Sequence, residues 1–89
     1  MRVVWHIKKA AANIRKHGIE FSHAATVLDD PEAVTVEDRR HEEQRFATVG
    51  ADLMGRVLVV VYAYAGEDEI RLISARKAGP RERRIYEEK

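Results

Sequence analysis

Hydrophobic positions recur along this chain with two different periods. In the first stretch they fall at helical spacing, at Ile7, Ala10, Ala11 and Ile14, leaving Lys8, Lys9, Asn13 and Lys16 to face water. His17-Gly18 closes this helix, because glycine takes the left-handed conformation past a helix end without strain. A second short helix is predicted from Phe21 to Leu28, with Phe21, Ala24, Ala25 and Leu28 as its apolar stripe. Asp29-Asp30-Pro31 stops it, since the residue before a proline is pushed out of the helical region. Ahead of both helices, Val3, Val4 and Trp5 suit a short opening strand.

Beyond Pro31 the period changes to two. Ala33 to Glu37, Gln44 to Gly50, Arg56 to Ala65 and Glu69 to Arg76 read as four strands. The third is apolar on both faces, which places it centrally in a sheet. Asp52-Leu53-Met54-Gly55 and Gly66-Glu67-Asp68 are the hairpin loops. Gly79-Pro80 opens a last helix, with Pro at its first position and Glu82 in its first turn, running to the chain end through Ile85 and Tyr86. The pattern therefore predicts an α+β fold with two N-terminal helices, a four-stranded antiparallel meander and a C-terminal helix, the helices packed on a sheet face.

Composition narrows the classes. At 89 residues the chain suits a single domain, 1–89, with one core. It has no cysteine, so disulfides, thiolate zinc sites and a thiol nucleophile are excluded. The longest apolar run, residues 57–65, is far short of the roughly 20 residues of a membrane helix. No apolar stretch of signal-peptide length opens the chain, so a cytoplasmic protein without membrane contact is expected.

The net charge of +1 conceals a pattern. Arg2, Lys8, Lys9, Arg15 and Lys16 against Glu20 make residues 1–20 strongly basic. Seven acidic groups against Arg39 and Arg40 make residues 21–44 acidic. Arg71, Arg76, Lys77, Arg81, Arg83 and Arg84 against Glu82 make residues 71–84 basic again. Most of these cations are arginines, whose planar fork matches phosphate as lysine cannot. Solvated surface charge is the plain alternative.

Candidate chemistry is sparse. His6, His17, His23 and His41 lack metal-ligand spacing, so no metal site and no cofactor is expected. His17 in Arg15-Lys16-His17-Gly18 is either a favourable cation at a helix C-terminus or a phosphate contact. Asp38-Arg39-Arg40-His41-Glu42-Glu43 is either a solvated hairpin or an acid–base cluster at a sheet edge. Arg71 and Arg76, five apart on one strand, point to opposite faces and share a cleft only if the strand bulges. Arg76 ends its strand beside the last helix, and as a structural residue it would want an acidic partner such as Glu43 or Glu87. Arg83 and Tyr86 share a helix face at i, i+3, where they could grip a phosphate, or where Tyr86 could anchor the core beneath Arg83.

Taken in order, these segments resemble one family. Lys16-His17-Gly18-Ile19 with Phe21 and Ala24, Asp30-Pro31, then Asp38, Glu43 and Arg45, then Ile70 to Arg76, and Glu82-Arg83-Arg84-Ile85-Tyr86-Glu87 are similar to BrnT, the ribonuclease toxins of type II toxin–antitoxin modules. Two positions depart from the family pattern: His6 stands where Trp is usually followed by Asp, and Glu20 stands where the second helix usually has a Ser- or Thr-like cap. The resemblance implies a RelE-like fold and metal-independent RNA cleavage that inhibits translation. It also implies a BrnA-like antitoxin, a ribbon-helix-helix protein that neutralises the toxin and alone contacts operator DNA. On it, Arg45, Arg76, Arg83 and Tyr86 are the expected catalytic residues. Lys16, His17, Arg71 and Arg81 are the expected RNA contacts. An arginine cannot readily act as a base, so His17, His41, Glu43 and Tyr86 are the candidate proton carriers. The competing class is a non-catalytic protein-binding module, an inactive toxin homologue acting only through its antitoxin-like partner.

Overall fold

A computed structural model describes residues 1–88, so the end of the predicted last helix at Lys89 lies outside the described residues. The elements are β1 (Arg2–Val4), α1 (Ile7–His17) and α2 (Phe21–Ala24), which runs into a 3-10 turn (Ala25–Asp29). Then come β2 (Val34–Asp38), β3 (Arg45–Ala51), β4 (Val57–Tyr64), β5 (Glu69–Lys77) and α3 (Pro80–Glu87). The sheet order is β1-β5-β4-β3-β2. Successive strands from β2 to β5 pair antiparallel through short hairpins. The sheet has five strands rather than four, because β1 joins it parallel to β5, with Arg2 level with Glu69 and Val4 with Arg71. Three residues show no period of their own, and this partner lies at the far end of the sequence.

The core lies between the sheet and the N-terminal helices. Ile19, Phe21, Ala24 and Val27 pack on Leu58, Val60, Tyr62, Ile70, Leu72 and Ala75. Gly50 lets the 3-10 turn close on β3: a Cβ there would lie 2.9 Å from the Ala33 Cβ and 3.1 Å from Val27 Cγ1. Both ends of α1 follow the local sequence. Gly18 adopts φ +71° and donates to the Ile14 carbonyl at 2.8 Å. The His6 ring takes over the N-cap of α1, Nδ1 accepting the Lys8 amide at 3.2 Å. Glu20 begins α2 without a side-chain cap.

α1 is turned differently from its apolar pattern. Asn13, expected to face water, is buried, while Ile7 is 80% and Ile14 47% exposed. The Asn13 amide explains this: Oδ1 accepts from Ala75 N at 3.0 Å, and Nδ2 donates to Ala75 O and Ile19 O, each at 2.9 Å. β1 covers only the first residues of β5, so Asn13 serves in place of a neighbouring strand for Ala75 beyond it. Three satisfied buried hydrogen bonds set the helix rotation, because leaving buried backbone groups unpaired costs about 1–3 kcal/mol each.

A bulge in β5 decides what its outer face carries. Val61 lies opposite Ser74 and Tyr62 opposite Leu72, leaving Ile73 as the extra residue. The alternation therefore shifts, and Arg71 and Arg76 both face away from α1 and α2.

Candidate nucleic-acid-binding face

The strand register arranges the outer face of the sheet in rows. Asp38 is level with Arg45, and Ala63 with Arg71. One step beyond the Phe46–Tyr62 pair, Arg45 is level with Ala63. The end row across β2 to β5 thus reads Asp38, Arg45, Ala63, Arg71. The next is Val36, Ala47, Val61, Ser74, and the next Val34, Val49, Val59, Arg76. The rings of Phe46, Tyr62 and Tyr64 pack together on the opposite face. The outer face offers arginines at its ends and valines between, without a stacking platform for bases.

In the end row, Ala63 leaves a gap that Glu43 fills. Its carboxylate hydrogen-bonds Arg71 Nη2 through Oε2, and its Oε1 lies 3.6 Å from Arg45 Nε. The second separation is an ion pair but too long for a hydrogen bond, and Arg45 Nε is buried without a partner. Two guanidinium groups therefore share one carboxylate, and one buried N–H remains unsatisfied. Beside them, Arg40 grips Asp38 through both carboxylate oxygens at 2.9 Å, holding it well below the usual carboxylate range. His41 Nε2 lies 3.6 Å from the same carboxylate.

Arg76 has a different setting, about 13 Å along the strand direction from Arg71. Both its terminal nitrogens meet Glu82, at 2.7 and 2.6 Å. Glu82 also caps α3 by accepting the Gly79 amide at 2.8 Å. Paired with Arg76, Glu82 is lowered from 4.5 to about 2. The acidic partner is thus Glu82, neither Glu43 nor Glu87. Tyr86 donates to Asp30 Oδ2 at 2.6 Å, which ties α3 to the end of the 3-10 turn. The hydrogen bond to Asp30 raises the Tyr86 hydroxyl above its ordinary range. Arg83 is exposed and pairs with Glu87 at 3.3 Å, and Arg81 is exposed on the same helix. Lys16 and His17 lie at the end of α1, beside Ile73 and Ser74.

Arg45 and Arg71 are thus brought together, with Glu43 between them and His41 near. Arg76, Arg83, Tyr86, Lys16, His17 and Arg81 do not join that cluster. The basic and acidic segments also interleave, since Glu43 of the acidic stretch sits on Arg71 of the basic one. Sequence spacing could not reveal the Glu43 bridge, which depends on a register across three strands. No group of three or more His, Asp or Glu side chains suited to a metal occurs among the described residues. None of their helices is long and apolar enough to cross a membrane.

Comparison with known proteins gives the fold and the charged row their context. The family model for the ribonuclease toxin BrnT of type II toxin–antitoxin systems matches residues 5–82. The chain belongs to the BrnT family. The crystal structure of the Brucella abortus ribonuclease toxin BrnT superposes with a TM-score of 0.71 at 25% identity, covering 89% of this chain and 97% of that one. No curated protein matches by sequence. The segment matched to BrnT covers β2 to β5 and the first turn of α3, so Arg45, Arg71 and Arg76 lie inside it and Arg83 and Tyr86 lie beyond it.

Proposed function

We propose that this BrnT-family chain is a metal-independent endoribonuclease that cuts messenger RNA and is neutralised by a BrnA-like ribbon-helix-helix antitoxin. Its layout, with α1 and α2 on one face of a small sheet, arginines on the other face and α3 tied to Arg76 at one end of that face, is read as RelE-like. One observation carries the site assignment: Arg45 and Arg71 hold a single carboxylate between them over Ala63. An RNA phosphodiester carries the same single charge on two non-bridging oxygens, and it takes both guanidinium forks in place of Glu43. The 2′-oxygen then attacks the adjacent phosphorus and the bond to the 5′-oxygen breaks. Glu43, displaced but adjacent, accepts the 2′-hydroxyl proton. His41, which lies close to Asp38, donates a proton to the departing 5′-oxygen. Arg45 and Arg71 stabilise the charge on the equatorial oxygens.

The test is cleavage of single-stranded RNA by the purified protein with and without EDTA. Fragments with 5′-hydroxyl and 2′,3′-cyclic phosphate ends, formed equally in EDTA, are the expected result. Absence of cleavage by the folded protein would leave the antitoxin-binding homologue as the correct reading. In cells, expression alone should arrest growth, and co-expression of the antitoxin should restore it.

A further inference from the structure

α1 turns its apolar stripe outwards. Ile7, Ala11 and Ile14, at i, i+4 and i+7, form one exposed ridge, whereas Ala10, Asn13 and His17 form the flank packed on the protein. The exposure is not a loose fit, because the three Asn13 hydrogen bonds set the rotation of the helix. Lys8 and Arg15 border the ridge, and Lys9 and Lys16 lie beyond them. None of these four cations makes an ion pair among the described residues, and α1 contains no acidic residue. Arg45, Arg71 and Arg76 on the sheet are all paired.

We propose that the Ile7–Ala11–Ile14 ridge is the seat of an acidic amphipathic helix of the antitoxin. Its apolar side chains would pack on the two isoleucines and its carboxylates would meet Lys8 and Arg15. The spacing is that of helix-on-helix packing, and Ala11 at the centre lets a second helix approach closely. Charge complementarity selects the occupant. Two copies of this chain would bring their cations together, and RNA would find no use for a ridge of isoleucine. This placement rests on the toxin reading only for the partner's identity. It locates that partner away from Arg45 and Arg71, so binding and cleavage are separable.

The experiment uses the full chain and the antitoxin encoded beside it, co-expressed and then measured as purified proteins by biolayer interferometry. Ile7→Glu with Ile14→Glu should weaken antitoxin binding by about 100-fold, as loss of a central apolar anchor does. The melting temperature and RNA cleavage should stay as in the wild type. Lys8→Glu with Arg15→Glu should slow association and flatten its salt dependence. Ser22→Asp, an added charge exposed on α2, should change neither. If the double glutamate variant folds poorly, Ile7→Ala with Ile14→Ala should still lower affinity about tenfold. Unchanged antitoxin binding in the isoleucine variants overturns the proposal. So does their loss of RNA binding with antitoxin binding intact, or wild-type dimers that they convert to monomers. Binding of wild type but not variant to phosphatidylserine vesicles, with antitoxin binding intact, also overturns it. If the wild type binds antitoxin through this ridge yet cleaves no RNA, the ribonuclease reading fails while the docking site stands.

Discussion

Arg71 and Arg76 lie on one strand, on one face, yet they sit in opposite electrostatic settings. Arg76 meets one carboxylate with both ends of its fork, and that carboxylate also caps α3. Arg71 shares Glu43 with Arg45, whose buried Nε has no hydrogen bond. A matched pair satisfies its own groups and joins two elements, as a structural contact does. A cluster with two cations to one carboxylate retains a demand for an anion. That contrast is why the Arg45–Arg71 end is proposed as the phosphate seat and the Arg76 end as an anchor for the C-terminal helix.

The largest effect that could break this contrast is kinetic. Arg45→Ala or Arg71→Ala should each lower RNA cleavage by roughly 100-fold or more, the scale of one lost transition-state charge stabiliser. Both side chains are half-buried in ion pairs, so each change should cost at most about 1 kcal/mol of stability. Arg71→Lys should restore little, because a point charge does not replace a fork. Cleavage rates and melting curves on the same preparations decide this, and full activity in either alanine variant would break the contrast.

At the anchor end the signature should reverse. Tyr86→Phe removes the donor to Asp30 and should cost about 1–2 kcal/mol of stability, with cleavage within about threefold of wild type. Arg76→Ala should cost about 0.5–1 kcal/mol, discounted because the pair is largely exposed, again with near-normal cleavage. A 100-fold loss of cleavage in stable Arg76→Ala protein would move the site to the α3 end.

The smallest effect is a pH signature. Glu82 is lowered from 4.5 to about 2 in the folded chain. The stability this adds is complete above pH 4.5 and is lost as pH falls from there towards 2. The stability difference between wild type and Arg76→Ala should therefore shrink across that window, as seen in urea unfolding at pH 7, 4.5, 3.5 and 2.5. A constant difference would mean that Arg76 acts without Glu82.

Much of this was legible in the chain itself. The β2 to β5 hairpins followed from period-two alternation and turn residues, which act between neighbours in sequence. Gly18 and Pro80 marked helix ends because backbone conformation there is a property of single residues. Family membership was carried by segments spread over nearly the whole chain. Three matters needed the folded molecule. The pairing of β1 with β5 joins opposite ends of the sequence and leaves no local trace. The outward stripe of α1 contradicts its own amphipathic pattern, because three hydrogen bonds, two donated and one accepted by Asn13, set the helix rotation and leave Ile7 and Ile14 exposed. The β5 bulge put Arg71 and Arg76 on one face, while cross-strand register set Glu43 between Arg45 and Arg71. Local propensity and alternation determine elements one at a time, whereas a shared carboxylate is decided by which strands become neighbours and in what register.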